Sequence, residues 1–128
     1  MASILRVNTI TDASSNNSIA TSVLFNGSAK AWINLDGTGT IGTNDSYNTG
    51  SITDNGTGDY SITITNNMVN ALYSHTHGAY TADNNSVSVR GSAGNAPAAG
   101  SIRVQCCATG NSPDDADQAC VTIHGDLA

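Results

Sequence analysis

The strongest chemical signal in this chain is His75-Thr76-His77. On an extended strand residues i and i+2 project from the same face, so both imidazoles point one way. Three such pairs around a threefold axis would offer six nitrogens, an octahedral set suited to iron or nickel. The plainer assignment is adopted: His75 and His77 belong to a subunit interface, and no metal or other cofactor is expected. His124 reads as a strand-end surface residue. Asp114, Asp115 and Asp117 could offer oxygen ligands to calcium, but the stretch lacks the glycine and distal glutamate of a calcium loop. It reads as an acidic, solvated loop. With three cysteines the chain has no even-numbered disulfide framework. Cys106 and Cys107 are adjacent and face opposite sides of a strand. Free thiols are expected, with one of them bonded to Cys120 as the alternative. Nucleophilic catalysis needs a nucleophile, a base and an orienting group. No Gly-x-Ser-x-Gly elbow occurs, Cys120 with His75 or His124 lacks an orienting partner, and every carboxylate is an Asp. A non-enzymatic protein is expected.

Those side chains must be positioned by strands. The chain has 128 residues with ten acidic and four basic side chains, a formal net charge of −6. All ten acids are Asp and Lys30 is the single lysine, so the charged residues that favour helices are nearly missing. Ser, Thr and Asn dominate the polar residues, which favours strands and turns. Arg6, Lys30, Arg90 and Arg103 are scattered and form no basic patch, which argues against nucleic acid. No run of 18 apolar residues occurs, so no membrane insertion is expected. The first residues lack the basic-then-apolar pattern of a signal peptide.

Ser51 to Thr65 organises the pattern. Asn55-Gly56 and Gly58 tolerate φ > 0, as a tight hairpin requires. After the turn Tyr60, Ile62 and Ile64 share one face, and Ser61, Thr63 and Thr65 the other. Ala29, Ala31, Ile33 and Leu35 alternate with Lys30, Trp32 and Asn34, and either face could be the core. Trp32, the only tryptophan, is assigned to a buried or interfacial position. Asn44-Asp45-Ser46 reads as a turn and Asn66 to Asn70 as a connection with a single helical turn. Ala71 to Tyr80 is the longest predicted strand. Val87 and Val89 share a face, as do Ile102, Val104 and Cys106, and then Ala119, Val121 and Ile123. Residues 1–28 form an extended N-terminal arm, apolar at Ile4, Leu5, Val7, Ile10, Val23, Leu24 and Phe25, that attaches to a neighbour or a larger scaffold. Residues 29–128 form an antiparallel β-sandwich of about six to eight short strands. Its core is thin, which favours self-association.

Ala29 to Thr40 (Ala-Lys-Ala-Trp-Ile-Asn-Leu-Asp-Gly-Thr-Gly-Thr) and Gly50 to Tyr60 (Gly-Ser-Ile-Thr-Asp-Asn-Gly-Thr-Gly-Asp-Tyr) resemble a family of small bacteriophage structural proteins, many from marine and cyanobacterial phages. The leader Ile4 to Asp12 is similar to their N-termini, and Ala119 to Asp126 is more loosely similar to their last strand. Residues 74–117 have no counterpart, and a ligand-contacting surface is expected there. Gly58-Asp59-Tyr60 with its alternating strand is also similar to the trimeric H-type lectin sandwich, an analogy of fold alone. The resemblance implies a homotrimeric virion protein, assembled in the host cytoplasm, whose partners are its own copies and other virion proteins. A tail-fibre or receptor-binding component touching a host surface glycan is the first reading, and a capsid decoration protein stabilising the head is the second. Glycan contacts are assigned to exposed loops, at Tyr80, Asp83, Asn84, Asn85, Asn95, Asn111, Asp114 and Asp115.

Overall fold

The computed structural model describes residues 4, 6–15, 17–82 and 87–128. Eight strands form two four-stranded antiparallel sheets. They are β3 (Ala31–Asp36), β4 (Gly42–Tyr47), β5 (Thr49–Gly56), β6 (Asp59–Ile64), β7 (Ser74–Tyr80), β8 (Ser88–Gly91), β9 (Ser101–Cys107) and β10 (Gln118–His124). The first sheet runs β4-β3-β10-β7 and the second β5-β6-β9-β8. The expected alternations hold. Ala31, Ile33 and Leu35, then Ala119, Val121 and Ile123, line the inner face of the first sheet. Tyr60, Ile62 and Ile64, then Ile102, Val104 and Cys106, line that of the second. All twelve belong to one buried cluster, so the sheets pack face to face as a sandwich. Trp32 lies on the opposite face of β3 and is half-buried beside Tyr47, its cross-strand neighbour.

The strands differ from expectation where turn-forming residues lie on an edge. Asn44, Asp45 and Ser46 are part of β4 rather than a turn. The register between β4 and β3 shifts at Asn34/Leu35, and Asn44 is the extra residue of that bulge. Its amide donates to Asn34 Oδ1 at 3.3 Å, so a polar side chain supports the irregularity. Residues 66–70 form no helical turn. Met68 there is buried and bridges to Leu127. The strand expected from Ala71 begins at Ser74.

The first 28 residues are not simply extended. β1 (Thr9–Thr11) and β2 (Ser18–Ala20) pair as a hairpin, and α1 (Thr21–Gly27) follows directly. Asp12 closes the hairpin loop: its N–H donates to Asn17 O at 3.0 Å and its carboxylate accepts from Asn17 Nδ2 at 2.8 Å. α1 buries none of its residues.

The corner between β4 and β5 depends on one side chain. Asn48 sits at φ 54°, a region that asparagine tolerates better than most residues. Its Nδ2 donates to Lys30 O at 2.9 Å and Asn66 O at 3.1 Å, and its Oδ1 accepts from Asn66 N at 2.8 Å. The corner is thereby tied to the ends of β3 and β6. Asn48→Ala is expected to cost about 2 kcal/mol in urea denaturation, because it strands these groups and places alanine at positive φ. Asn48→Gly restores the backbone freedom and should recover only part of that loss.

Candidate functional site

The strand directions sort the loops between two ends of the sandwich. Residues 37–41, 57–58, 81–82, 87 and 108–117 lie at one end, called distal here. Residues 28–30, 48, 65–73, 92–100 and 125–128 lie at the other, with the N-terminal segment. The three loops expected to form one ligand surface are therefore divided. Those after Tyr80 and around Asn111 are distal, and the loop carrying Asn95 is at the arm end. Its position follows from Ile64 N donating to Gly100 O at 2.8 Å and Met68 N to Ala99 O at 2.9 Å. The connection folds back under β6 instead of reaching outward.

Exposed apolar side chains follow the same division. Among the described residues, Ile4, Val7, Ile10, Val23, Leu24 and Phe25 are exposed in the N-terminal segment. Tyr47, Val69, Leu72 and Leu127 are exposed at the arm end, and Phe25, Tyr47 and Leu127 line one cavity there. The remaining large exposed side chain is Tyr80, 57% accessible at the distal end of β7.

The other expected contact residues differ in their surroundings. Asp83, Asn84 and Asn85 lie outside the described residues. Asn111 is exposed, at φ 69°, and its Oδ1 accepts from Arg90. Asn95 is exposed and its Oδ1 accepts from Arg103 at 3.4 Å. Asp114 is half-buried, and its N–H donates to Cys106 O at 3.2 Å. Asp115 points inward: its Oδ1 accepts from Gly58 N at 2.6 Å and from the buried Tyr60 hydroxyl at 2.5 Å. That carboxylate is a latch between loop and hairpin. Asp117 accepts from Ala82 N at 2.8 Å. Among the described residues no three His, Cys, Asp or Glu side chains gather as a metal site. Cys106, Cys107 and Cys120 are free, the first two buried.

Two arginines organise the outer face of the second sheet. Arg103 makes a two-pronged bond to Asp59, Nε to Oδ1 at 2.8 Å and a terminal nitrogen to Oδ2 at 2.7 Å. Arg90 donates to Gln105 Oε1 at 2.8 Å as well as to Asn111. Arg90, Arg103, Gln105 and Asp59 were not among the candidate residues. Their signal is the alternation of Arg103 and Gln105 with Ile102 and Val104, which places them on an outer face. Bonded mainly to one another, they make this face largely self-satisfied.

His75 and His77 project to the same side, and it is the inner side of β7. Opposite them across the ladder are Ile123 and Val121, both core residues. β7 is an edge strand, so the rings sit half-buried at the open flank of the sandwich. They stack with centroids 4.8 Å apart, and Tyr73 meets His75 edge-on at 6.1 Å. His75 Nδ1 and His77 Nε2 are buried without a hydrogen-bond partner. Burial and then the neighbouring His75 ring hold His77 below the usual imidazole range. A depressed histidine takes up its proton more readily in the unfolded chain. Its contribution is therefore present above the unfolded pKa of about 6.5 and lost as the pH falls below it. The urea midpoint should drop between pH 7.5 and pH 5, and His77→Phe should flatten that limb. An unchanged limb in the variant would assign acid sensitivity elsewhere.

No family model, curated protein or solved structure matches this chain.

Proposed function

We propose that this protein is a non-enzymatic bacteriophage virion structural protein, a homotrimeric tail-fibre or receptor-binding component that contacts the host surface. The segregation of exposed apolar side chains carries the reading. Ten of the eleven large exposed apolar residues among those described lie in the N-terminal segment or at the end of the sandwich beside it. Large apolar groups left in water at one end favour attachment to another protein. The opposite end presents polar loops and Tyr80. A domain divided in this way is suited to being anchored by one end and displayed by the other. The resemblance of residues 29–40 and 50–60 to phage structural proteins supplies the setting: assembly in the host cytoplasm, other virion proteins as attachment partners, and a host surface glycan as the ligand. Many copies acting together would compensate for weak individual sites.

A capsid decoration protein that covers and stabilises the phage head is the second reading. One observation favours it: the described residues form a compact eight-stranded sandwich carried beside an exposed apolar segment, a form suited to sit on a shell. Antibody labelling of intact virions in the electron microscope separates the two. Label at the tail supports the fibre reading, label over the head supports decoration, and an unlabelled particle refutes both. The paired variant Leu24→Asp, Phe25→Asp, altering residues with no role in the core, should yield folded protein that no longer joins the particle.

A further inference from the structure

The two outer faces of the sandwich use polar groups differently. On the second sheet the arginines and their partners bond mainly to one another. On the first sheet an open row of amides crosses three strands: Asn44 Nδ2 donates to Asn34 Oδ1 at 3.3 Å, and Asn34 Nδ2 to Gln118 Oε1 at 3.3 Å. Gln118 stands opposite Tyr80 on β7, so the row ends beside the one large exposed aromatic of the distal end. Among the described residues the Gln118 Nε2 donors and the Tyr80 hydroxyl have no protein partner. The next positions along the same face are Cys120 opposite Gly78, and Thr122 opposite both Thr76 and Trp32. Gly78 leaves a notch, because a Cβ built there would meet only Cys120 Cβ, at 4.0 Å.

We propose that this face, centred on the Gly78–Cys120 notch between Tyr80 and Trp32, binds a neutral oligosaccharide. The charge on the face selects the ligand. Lys30 continues the alternation of Trp32 and Asn34, but its ammonium is engaged by Phe25 O and by Ser28 Oγ at 2.8 Å, and no other Arg or Lys projects from the face, so an acidic glycan or a nucleic acid would find no free cation. Its carboxylates are engaged locally: Asp36 accepts from Thr38 N at 2.9 Å and the Thr38 hydroxyl at 2.7 Å, and Asp45 accepts from Ser46 N at 2.8 Å. What remains for a ligand is amides, hydroxyls and three aromatic rings, those of Tyr80, Trp32 and the Tyr47 beside it. Hydroxyls of a neutral sugar both donate and accept, which matches amides, and its C–H surface packs on aromatic faces. Strand spacing and rise separate Tyr80 from Trp32 by about 17 Å along the face. That span suits an extended chain of several sugar units better than one ring.

This inference rests on the host-glycan part of the proposed function, and its test separates the two. The full chain would be titrated with an array of neutral hexose and N-acetylhexosamine oligosaccharides, and amide shifts mapped with the best binder. Shifts confined to residues 32–34, 76–80 and 118–122 are expected. Tyr80→Ala and Gly78→Val should each weaken binding at least tenfold, and Gln105→Ala on the other sheet should leave it unchanged. Gly78→Val fills open space, and unchanged circular dichroism would show that it folds. Shifts and losses that instead follow Asn111→Ala and Gln105→Ala would overturn the site and leave the glycan reading standing. Binding of acidic glycans alone would overturn the ligand class. Failure to bind either the array or intact host cells would overturn both the inference and the receptor-binding reading.

Discussion

Replacing Gly58 by alanine is expected to cost about 3–5 kcal/mol, enough to unfold much of a marginally stable domain. Gly58 is buried at φ +65°, and a Cβ there would lie 2.5 Å from Cys106 O, 2.6 Å from Asp114 O and 2.9 Å from Asp114 N. All three are backbone atoms that cannot swing away like a flexible side chain. Gly58 O also accepts from Cys106 N at 2.6 Å, so a shift to relieve the overlap breaks the join between hairpin and β9. Gly39 provides the control. It has a similar φ of +60° with nothing within 4 Å of a new Cβ, so Gly39→Ala should cost only about 1 kcal/mol of backbone strain. Chemical denaturation of both variants separates strain from overlap. Equal losses would show that the steric account of Gly58 is wrong.

Asp115→Ala should cost about 2–4 kcal/mol, since it leaves the Gly58 N–H and the buried Tyr60 hydroxyl without their shared acceptor. The Tyr60 hydroxyl then has only Gly37 O, at 3.4 Å. Tyr60→Phe removes the same bond from the other side, so the two changes together should cost less than the sum of the single losses. Additive losses in a double-mutant cycle would dissolve the latch into independent contacts. The pair also sets the alkaline behaviour. Burial and then the Asp115 carboxylate raise the Tyr60 phenol far above its usual range. A raised acid contributes stability that is complete below its unfolded pKa, about 10, and lost as the pH rises beyond it. Burial likewise pushes the Cys106 thiol up to about 12, so its contribution begins to fade above about pH 9. Tyr60→Phe should remove the later part of that alkaline loss.

The latch shows where sequence patterns stop being informative. The run from Asp114 to Asp117 reads as a solvated acidic loop, because charged residues among Pro, Ser and Ala have no periodicity. Asp115 faces inward because its acceptor is used by Gly58, 57 residues earlier in the chain. A pairing so distant leaves no local trace. The histidines present the opposite case. Their common face is legible from the spacing of His75 and His77 alone. Whether that face is inside or outside depends on β7 pairing with β10, where His77 falls opposite Val121. Likewise Asn44 to Ser46 carries turn chemistry, and an edge strand accommodates it as a bulge because only one side must pair.

The sequence by itself determined the class of fold and most of the strand faces. Alternation at Ala31 to Leu35, Tyr60 to Ile64, Ile102 to Cys106 and Ala119 to Ile123 has a period of two, and burial of one face is the stable outcome for such strands in water. It also carried the apolar character of the first 28 residues, though not their hairpin and short helix. Tertiary structure alone decided the strand order, and with it everything that requires two distant segments to meet. It separated the Asn95 loop from the Asn111 loop by the whole length of β9, directed Asp115 inward, and aligned Asn44, Asn34, Gln118 and Tyr80 across four strands. The physical reason is one of range. Side-chain alternation is enforced by each strand's own backbone, whereas pairing between strands is chosen by the packing of the whole core, to which no single stretch of residues holds the key.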